Sequence, residues 1–155
     1  MSTFKCLSVS QPFADLIVRG KKTIELRSWD TRYRGEFLVH SPSKIRVDDC
    51  KRLGIDEKLL QTGAIIGKAT IYDVKTYKTQ KEWQADQKFH FAGSEFSAIK
   101  YGFLLKGAKK FSTPIPYKGK LGFFDVNLKD SKFKDDDITS EIFDEEYRTQ
   151  WINHH

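Results

Sequence analysis

Gly20-Lys21-Lys22-Thr23-Ile24-Glu25-Leu26-Arg27-Ser28-Trp29, with Arg34-Gly35 a few residues on, is the stretch on which the reading of this chain turns. Thr23–Arg27 alternates. Ile24 and Leu26 fall on one face, and Thr23, Glu25 and Arg27 on the other, the pattern of a strand with one side buried. Two lysines, an acid, an arginine and a tryptophan within ten residues are more polar chemistry than a plain core strand carries. The set suits a pocket for something anionic and planar, such as a nucleotide.

Upstream, Phe4–Val9 reads as a strand. Ser10 is placed to cap a helix, Pro12 fits its first turn, Phe13, Leu16 and Ile17 share a face, and Gly20 is placed to end it. Downstream, Tyr33-Arg34-Gly35 is a turn into a strand over Glu36–His40, and Val47–Leu60 reads as a helix split by Gly54. Ala64–Val74 is a long β-rich run, and residues 80–88 form a short helix around Trp83. Tyr101–Lys106, Lys109–Ser112 and Leu121–Leu128 are further strands, the last two separated by a Pro/Gly-punctuated loop. About six short strands with peripheral helices predict an α+β fold, a small mixed β-barrel.

The chain has 155 residues and a formal charge of +6, enough for one domain with a modest core. Residues 1–128 carry 23 Lys/Arg against 13 Asp/Glu, a net of +10, and residues 129–155 carry 4 against 8, a net of −4. A basic body favours a polyanionic partner, of which nucleic acid is the usual one; a solvated basic surface is the plainer account. The domain is expected over 1–128. An acidic extension follows over 129–155, with Ile138, Ile142, Phe143, Tyr147, Trp151 and Ile152 at roughly helical spacing; it is expected as a docked helix or as an acidic tail over the basic surface. Cys6 and Cys50 are too few for a disulfide framework or zinc site. No cofactor or metal site is expected. No apolar run resembles a signal peptide or a bilayer span, so the expected compartment is the cytoplasm, or the nucleus in a eukaryote.

Lys22 is either a solvated lysine or a phosphate contact, or a base if burial lowers its pKa. Glu25 and Arg27 are either a surface ion pair or a working pair. In the latter, Glu25 accepts hydrogen bonds from an exocyclic amine while Arg27 binds phosphate or fixes the carboxylate. Trp29, in a polar loop with Ser28, is a candidate for base stacking, and Arg34 for a phosphate contact. Gln11 lies at a helix start, where backbone N–H groups favour anions, and is a weaker candidate for reading a base edge. His40, Ser41, Ser43 and Lys44 form a second polar cluster from which, with Glu25 or Asp30, a Ser/His/acid triad can be drawn only on paper. His90 reads as structural.

These residues carry a resemblance. Leu7-Ser8-Val9-Ser10-Gln11-Pro12-Phe13-Ala14, Gly20-x-Lys22-x-x-Glu25-x-Arg27-Ser28-Trp29 and Arg34-Gly35 are similar to the ASCH (activating signal cointegrator 1 homology) domain of the PUA-like superfamily. Ala64-Ile65-Ile66-Gly67 and Gly119-Lys120-Leu121-Gly122-Phe123-Phe124 resemble its later strands. The resemblance implies a PUA-like barrel with a cleft beside the Lys22–Arg27 strand. It also implies binding of RNA, other nucleic acid or a nucleotide, for which the candidates read from the residues are Gln11, Lys22, Glu25, Arg27, Ser28, Trp29 and Arg34. Some members are amidohydrolases of N4-acylated cytidine or ribonucleases. In the amidohydrolases the lysine matching Lys22 supports a threonine nucleophile, a position held here by Glu25. A hydrolase would therefore use Lys22 and Glu25 as an acid/base pair around a water.

Overall fold

A computed structural model of the protein describes residues 2–93 and 96–128. The acidic extension, expected as a docked helix or tail, lies outside them. In chain order the elements are β1 (Ser2–Ser8), α1 (Phe13–Val18), β2 (Ile24–Arg27), β3 (Gly35–Ser41), α2 (Val47–Leu53), a 3-10 turn (Glu57–Leu59), β4 (Ala64–Tyr77), α3 (Gln80–Ala85), α4 (Gln87–His90), β5 (Lys100–Pro116) and β6 (Phe123–Leu128). The six strands form one mixed sheet in the order β2-β5-β4-β3-β1-β6. β1 runs parallel to β3, with Ser8 opposite His40, and the other pairs are antiparallel.

The α+β class and the strand number match the expectation; the closed barrel does not. Among the described residues the ladder has two free edges, β2 and β6, and no backbone pairing joins them. β2, with four residues, is short. What crosses from it to β1 is a side chain: Arg27 Nη2 donates to the Ser8 carbonyl at 2.7 Å. Trp29, just after β2, also packs edge-on against Phe123 of β6. The sheet therefore curls toward closure, and side chains occupy the seam.

Two predicted strands, Tyr101–Lys106 and Lys109–Ser112, are one bulged strand, β5. Its register against β4 shifts three times, and Gly107 takes a positive φ of 61° within it. Bulges of this kind bend a strand without ending it, which is why the glycine there reads as a break in the sequence. Gly54 does split the second helical segment, closing α2 in the left-handed conformation at φ 67°. Ser10 does not cap α1 with its hydroxyl. Pro12 stands at the N-cap with no side-chain bond, and the Ser10 carbonyl accepts from Phe13 and Ala14.

The core has two parts. One gathers Leu7, Val9, Ile17, Val18, Phe37, Val39, Ile71, Phe103 and their neighbours under α1, and the other gathers Phe4, Cys6, Leu38, Ile65, Phe111, Phe124 and Val126. Strand alternation sends successive residues of β1 and β3 to opposite sides, so each strand feeds both parts. α1 lies close on the sheet because β4 carries Gly67 beneath it; a Cβ there would collide with Val18 and with the Lys109 carbonyl. Cys6 is a packed thiol, and burial pushes its pKa well up.

Candidate nucleic-acid interface

The α1–β2 connection, the ends of β1 and β3, the 91–93 segment and the loop before β6 surround a cleft of about 830 Å³. Its polar lining includes Ser8, Lys22, Glu25, Arg27 and His40, with Arg46, Asp49, Lys118 and Lys120 as further charged groups. Phe13, Trp83 and Tyr117 supply aromatic walls.

Alternation predicts Glu25 and Arg27 on the polar face of β2. That face is not solvent: Lys22 is 3% exposed and Glu25 6%. Each carboxylate oxygen of Glu25 takes one cation. Lys22 Nζ lies 3.4 Å from Oε1 and Arg27 Nε 2.9 Å from Oε2. Lys22 also donates to the His90 carbonyl and sits over the Phe13 ring. Burial lowers the Lys22 pKa below the ordinary lysine value, with the Glu25 charge opposing that shift. Two cations share one carboxylate, so the group carries a net +1 inside the cleft. Buried charges are tolerated in this form because every partner is present.

His90 is structural, as read. Its Nδ1 accepts from the Ala92 N–H, so Nε2 carries the proton and donates to the Trp83 carbonyl. This pins the 83–92 segment, whose carbonyl at 90 holds Lys22.

A second buried group lies at the ends of β1 and β3. Ser8 Oγ is 3.2 Å from His40 Nδ1, and His40 Nε2 is 2.7 Å from the Tyr117 carbonyl. A carbonyl only accepts, so Nε2 bears the proton and Nδ1 presents a lone pair to the Ser8 hydroxyl. Burial lowers the His40 pKa, partly opposed by the Tyr117 bond, and favours the neutral ring. Gly119 lies against the pair; a Cβ there would collide with the imidazole and approach Ser8 Oγ to 2.8 Å.

Of the residues picked from sequence, the fold thus brings Lys22, Glu25 and Arg27 together. Gln11, Ser28, Trp29 and Arg34 lie outside the cleft lining, whereas His40 and Ser43 of the second polar cluster are part of it. Gln11 is fully buried, its Nε2 donating to Gln61 O and its Oε1 accepting from Asp15 N, so its amide ties α1 to the loop at Gln61. Trp29 meets Phe103 and Phe123 edge-on at ring distances of 5.3 and 5.8 Å, with the Arg27 guanidinium 5.8 Å from its ring. Ser28 is exposed beside it. Arg34 is exposed at the start of β3, while the cleft is at its end near His40, roughly 20 Å away at about 3.3 Å per residue. It holds the turn through the Thr31 and Tyr33 carbonyls.

Sequence reasoning missed the rim. Arg46 is exposed beside the Phe13 ring and pairs with Asp49. Burial would raise the Asp49 pKa, but hydrogen bonds from Arg52 and Arg46 hold it below the usual carboxylate value. Lys118 and Lys120 project from a Lys-Gly-Lys loop that reads in sequence only as a turn. The alternation of lysine with glycine was the available signal, since glycine lets backbone carry charge close to a wall. Among the described residues no group of three His, Cys, Asp or Glu could hold a metal ion, and no helix is long and apolar enough to cross a membrane.

The ASCH domain family model matches residues 7–134, most of the chain. The protein belongs to the ASCH domain family. Activating signal cointegrator 1 from Homo sapiens is 29% identical over 136 residues, and that from Mus musculus 28%. Each match covers 80% of this chain and 22% of the relative, so this ASCH chain spans about a fifth of those proteins. Among solved structures, ASCH from Zymomonas mobilis superposes with a TM-score of 0.58 at 15% identity, over 84% of this chain and 90% of that one. A serine-to-alanine variant of the same bacterial protein gives 0.57. At that identity the likeness concerns the fold.

Proposed function

We propose that this ASCH domain binds nucleic acid, RNA or a nucleotide portion of it, in the cleft beside β2. The observation that carries the reading is the charge of the lining. Five cations (Lys22, Arg27, Arg46, Lys118, Lys120) face two acids (Glu25, Asp49) around one concavity with aromatic walls. In this reading Arg46, Lys118 and Lys120 contact phosphates at the rim and the Arg27 guanidinium presents its remaining N–H groups from the floor. Phe13 or Tyr117 offers a surface for a base. Glu25 holds Lys22 and Arg27 in place and leaves a positive floor. Gln11, Ser28, Trp29 and Arg34 take no part.

The alternative use of Lys22 and Glu25, as an acid/base pair hydrolysing a modified nucleobase or RNA, asks more of the site. Glu25 would have to give up a cation on one oxygen to activate a water. The test is a titration of fluorescent single-stranded RNA at two salt concentrations, with wild type beside Lys118→Ala/Lys120→Ala, and product analysis of the same samples. Salt-dependent binding that weakens in the variant, with intact RNA, supports the binding reading. No measurable affinity at low salt for any RNA or DNA overturns it, and product formation lost on Glu25→Gln would establish hydrolysis.

A further inference from the structure

We infer that Ser8 and His40 form a nucleophile–base pair that gives this domain an acyl-transfer activity of the esterase kind. The inference does not depend on nucleic-acid binding.

Three features of an activated serine are present together. The hydroxyl lies 3.2 Å from a ring nitrogen. That nitrogen is the basic one, because the other ring nitrogen is committed to the Tyr117 carbonyl at 2.7 Å. The carbonyl also fixes the plane of the ring, the part played by the third member of a nucleophile–base–orienter set. The fold produces the pair directly: β1 and β3 are parallel neighbours, and Ser8 and His40 are in register at their ends.

The surroundings fit the chemistry. Both residues line the cleft. His40 is 2% exposed and backed by Gly119, whereas Ser8 is only partly buried, so the base is shielded and its partner faces the cavity. Arg27 is bonded to the Ser8 carbonyl at 2.7 Å and so brings a cation to the same residue, useful where a tetrahedral oxyanion develops. Val9, Phe13 and Leu26 add apolar surface for an acyl group.

The chemistry balances without a cofactor. Ser8 Oγ attacks the carbonyl carbon of an ester, forming a C–O bond, and its proton passes to His40 Nδ1. The bond to the leaving oxygen breaks and His40 returns the proton to the departing alcohol. Water, deprotonated by the same nitrogen, then attacks the acyl-serine and releases a carboxylic acid and free Ser8. The net reaction is ester plus water to acid plus alcohol. The substrate class is a carboxylic ester with a small acyl group, and the rim cations favour an anionic alcohol portion.

The test needs no variant to begin. The intact protein is incubated with an alkyl fluorophosphonate, which a nucleophilic serine displaces with loss of fluoride, and the adduct is located by peptide mass mapping. The expected result is one label per chain, on Ser8. His40→Gln should slow labelling about 100-fold, the usual worth of a general base, with folding verified by circular dichroism. Turnover of 4-nitrophenyl acetate should fall in parallel and be lost in Ser8→Ala. Absence of label on Ser8 in the folded wild-type protein overturns the proposal, as does labelling of folded His40→Gln at the wild-type rate. RNA affinity, measured on the same preparations, is a separate quantity, so failure of either reading is seen without the other.

Discussion

Two arginine–carboxylate pairs with similar sequence signatures have opposite characters. At the cleft, Arg27 Nε meets Glu25 at 2.9 Å with side chains 18% and 8% exposed. At the far end of β3, Arg34 meets Asp73 at 3.7 Å with side chains 42% and 64% exposed. Both arginines lie near the motif, and both looked equally suited to an anion. Water is the difference. The outer pair is screened and each member is well solvated alone, so the pair has little effect on stability. The inner group has lost its hydration, and removing one member strands the others.

The largest expected effect breaks the inner group. Glu25→Ala leaves Lys22 and Arg27 facing each other in the cleft, and should cost about 3–5 kcal/mol of stability. Asp73→Ala should change it by no more than about 0.5 kcal/mol. Urea unfolding of the two variants measures the contrast directly, and equal losses would mean the cleft charges are better solvated than their burial implies.

Next in size is Gly119→Ala, which drives a methyl group into His40 and Ser8. A loss of about 1–3 kcal/mol is expected. Gly93 has open space around its Cβ position and an ordinary φ, so Gly93→Ala should be close to neutral. Thermal melts of the two proteins would separate a packed cleft wall from a loose one.

The rim should act on binding rather than stability. Lys118→Ala/Lys120→Ala should reduce the slope of log affinity against log salt by about 1.4, at roughly 0.7 per single-strand phosphate contact. Arg34→Ala should leave that slope unchanged. A slope altered equally by both would locate binding on the whole basic surface instead of the cleft.

The smallest effect is a pH dependence. Burial lowers the pKa of both His40 and His90 from the ordinary 6.5. Below about 6.5 the unfolded chain therefore binds protons that the folded protein does not. Stability is fully present above that pH and declines as pH falls from 6.5 toward the folded-state values. Melting temperatures between pH 7.5 and 5 should show the decline, and His40→Gln should reduce it. An unchanged profile would mean that His40 titrates as if solvated.

Much of the local structure was legible. The alternation over Thr23–Arg27 identified β2, and Gly54 marked the end of α2 because a left-handed residue is cheapest as glycine. Lys22, Glu25 and Arg27 were legible as a group because all three lie within six residues, on or beside one strand. Other features were hidden. Trp29 sits among polar neighbours in sequence, yet its half-buried ring packs edge-on against Phe103 and Phe123, both distant in sequence. Gln11 looked like a reader of base edges, but its amide is spent on Gln61 and Asp15. The Ser8–His40 pair spans 32 positions. No periodicity in either strand announces it, because it depends on which strand lies beside which.

The sequence by itself determined most of the elements, the excess of positive charge over residues 1–128 and the cluster on β2, since each follows from residue type and spacing along a short run of chain. Only the tertiary structure decided which polar groups lost their water. It seated Arg46, Lys118 and Lys120 around Lys22 and Arg27, turned Gln11 and Trp29 inward, left Arg34 in solvent and set Ser8 against His40. The physical reason is that hydration and electrostatic strength depend on what surrounds a group in three dimensions. Those surroundings come from strand order and curl, which local spacing does not encode.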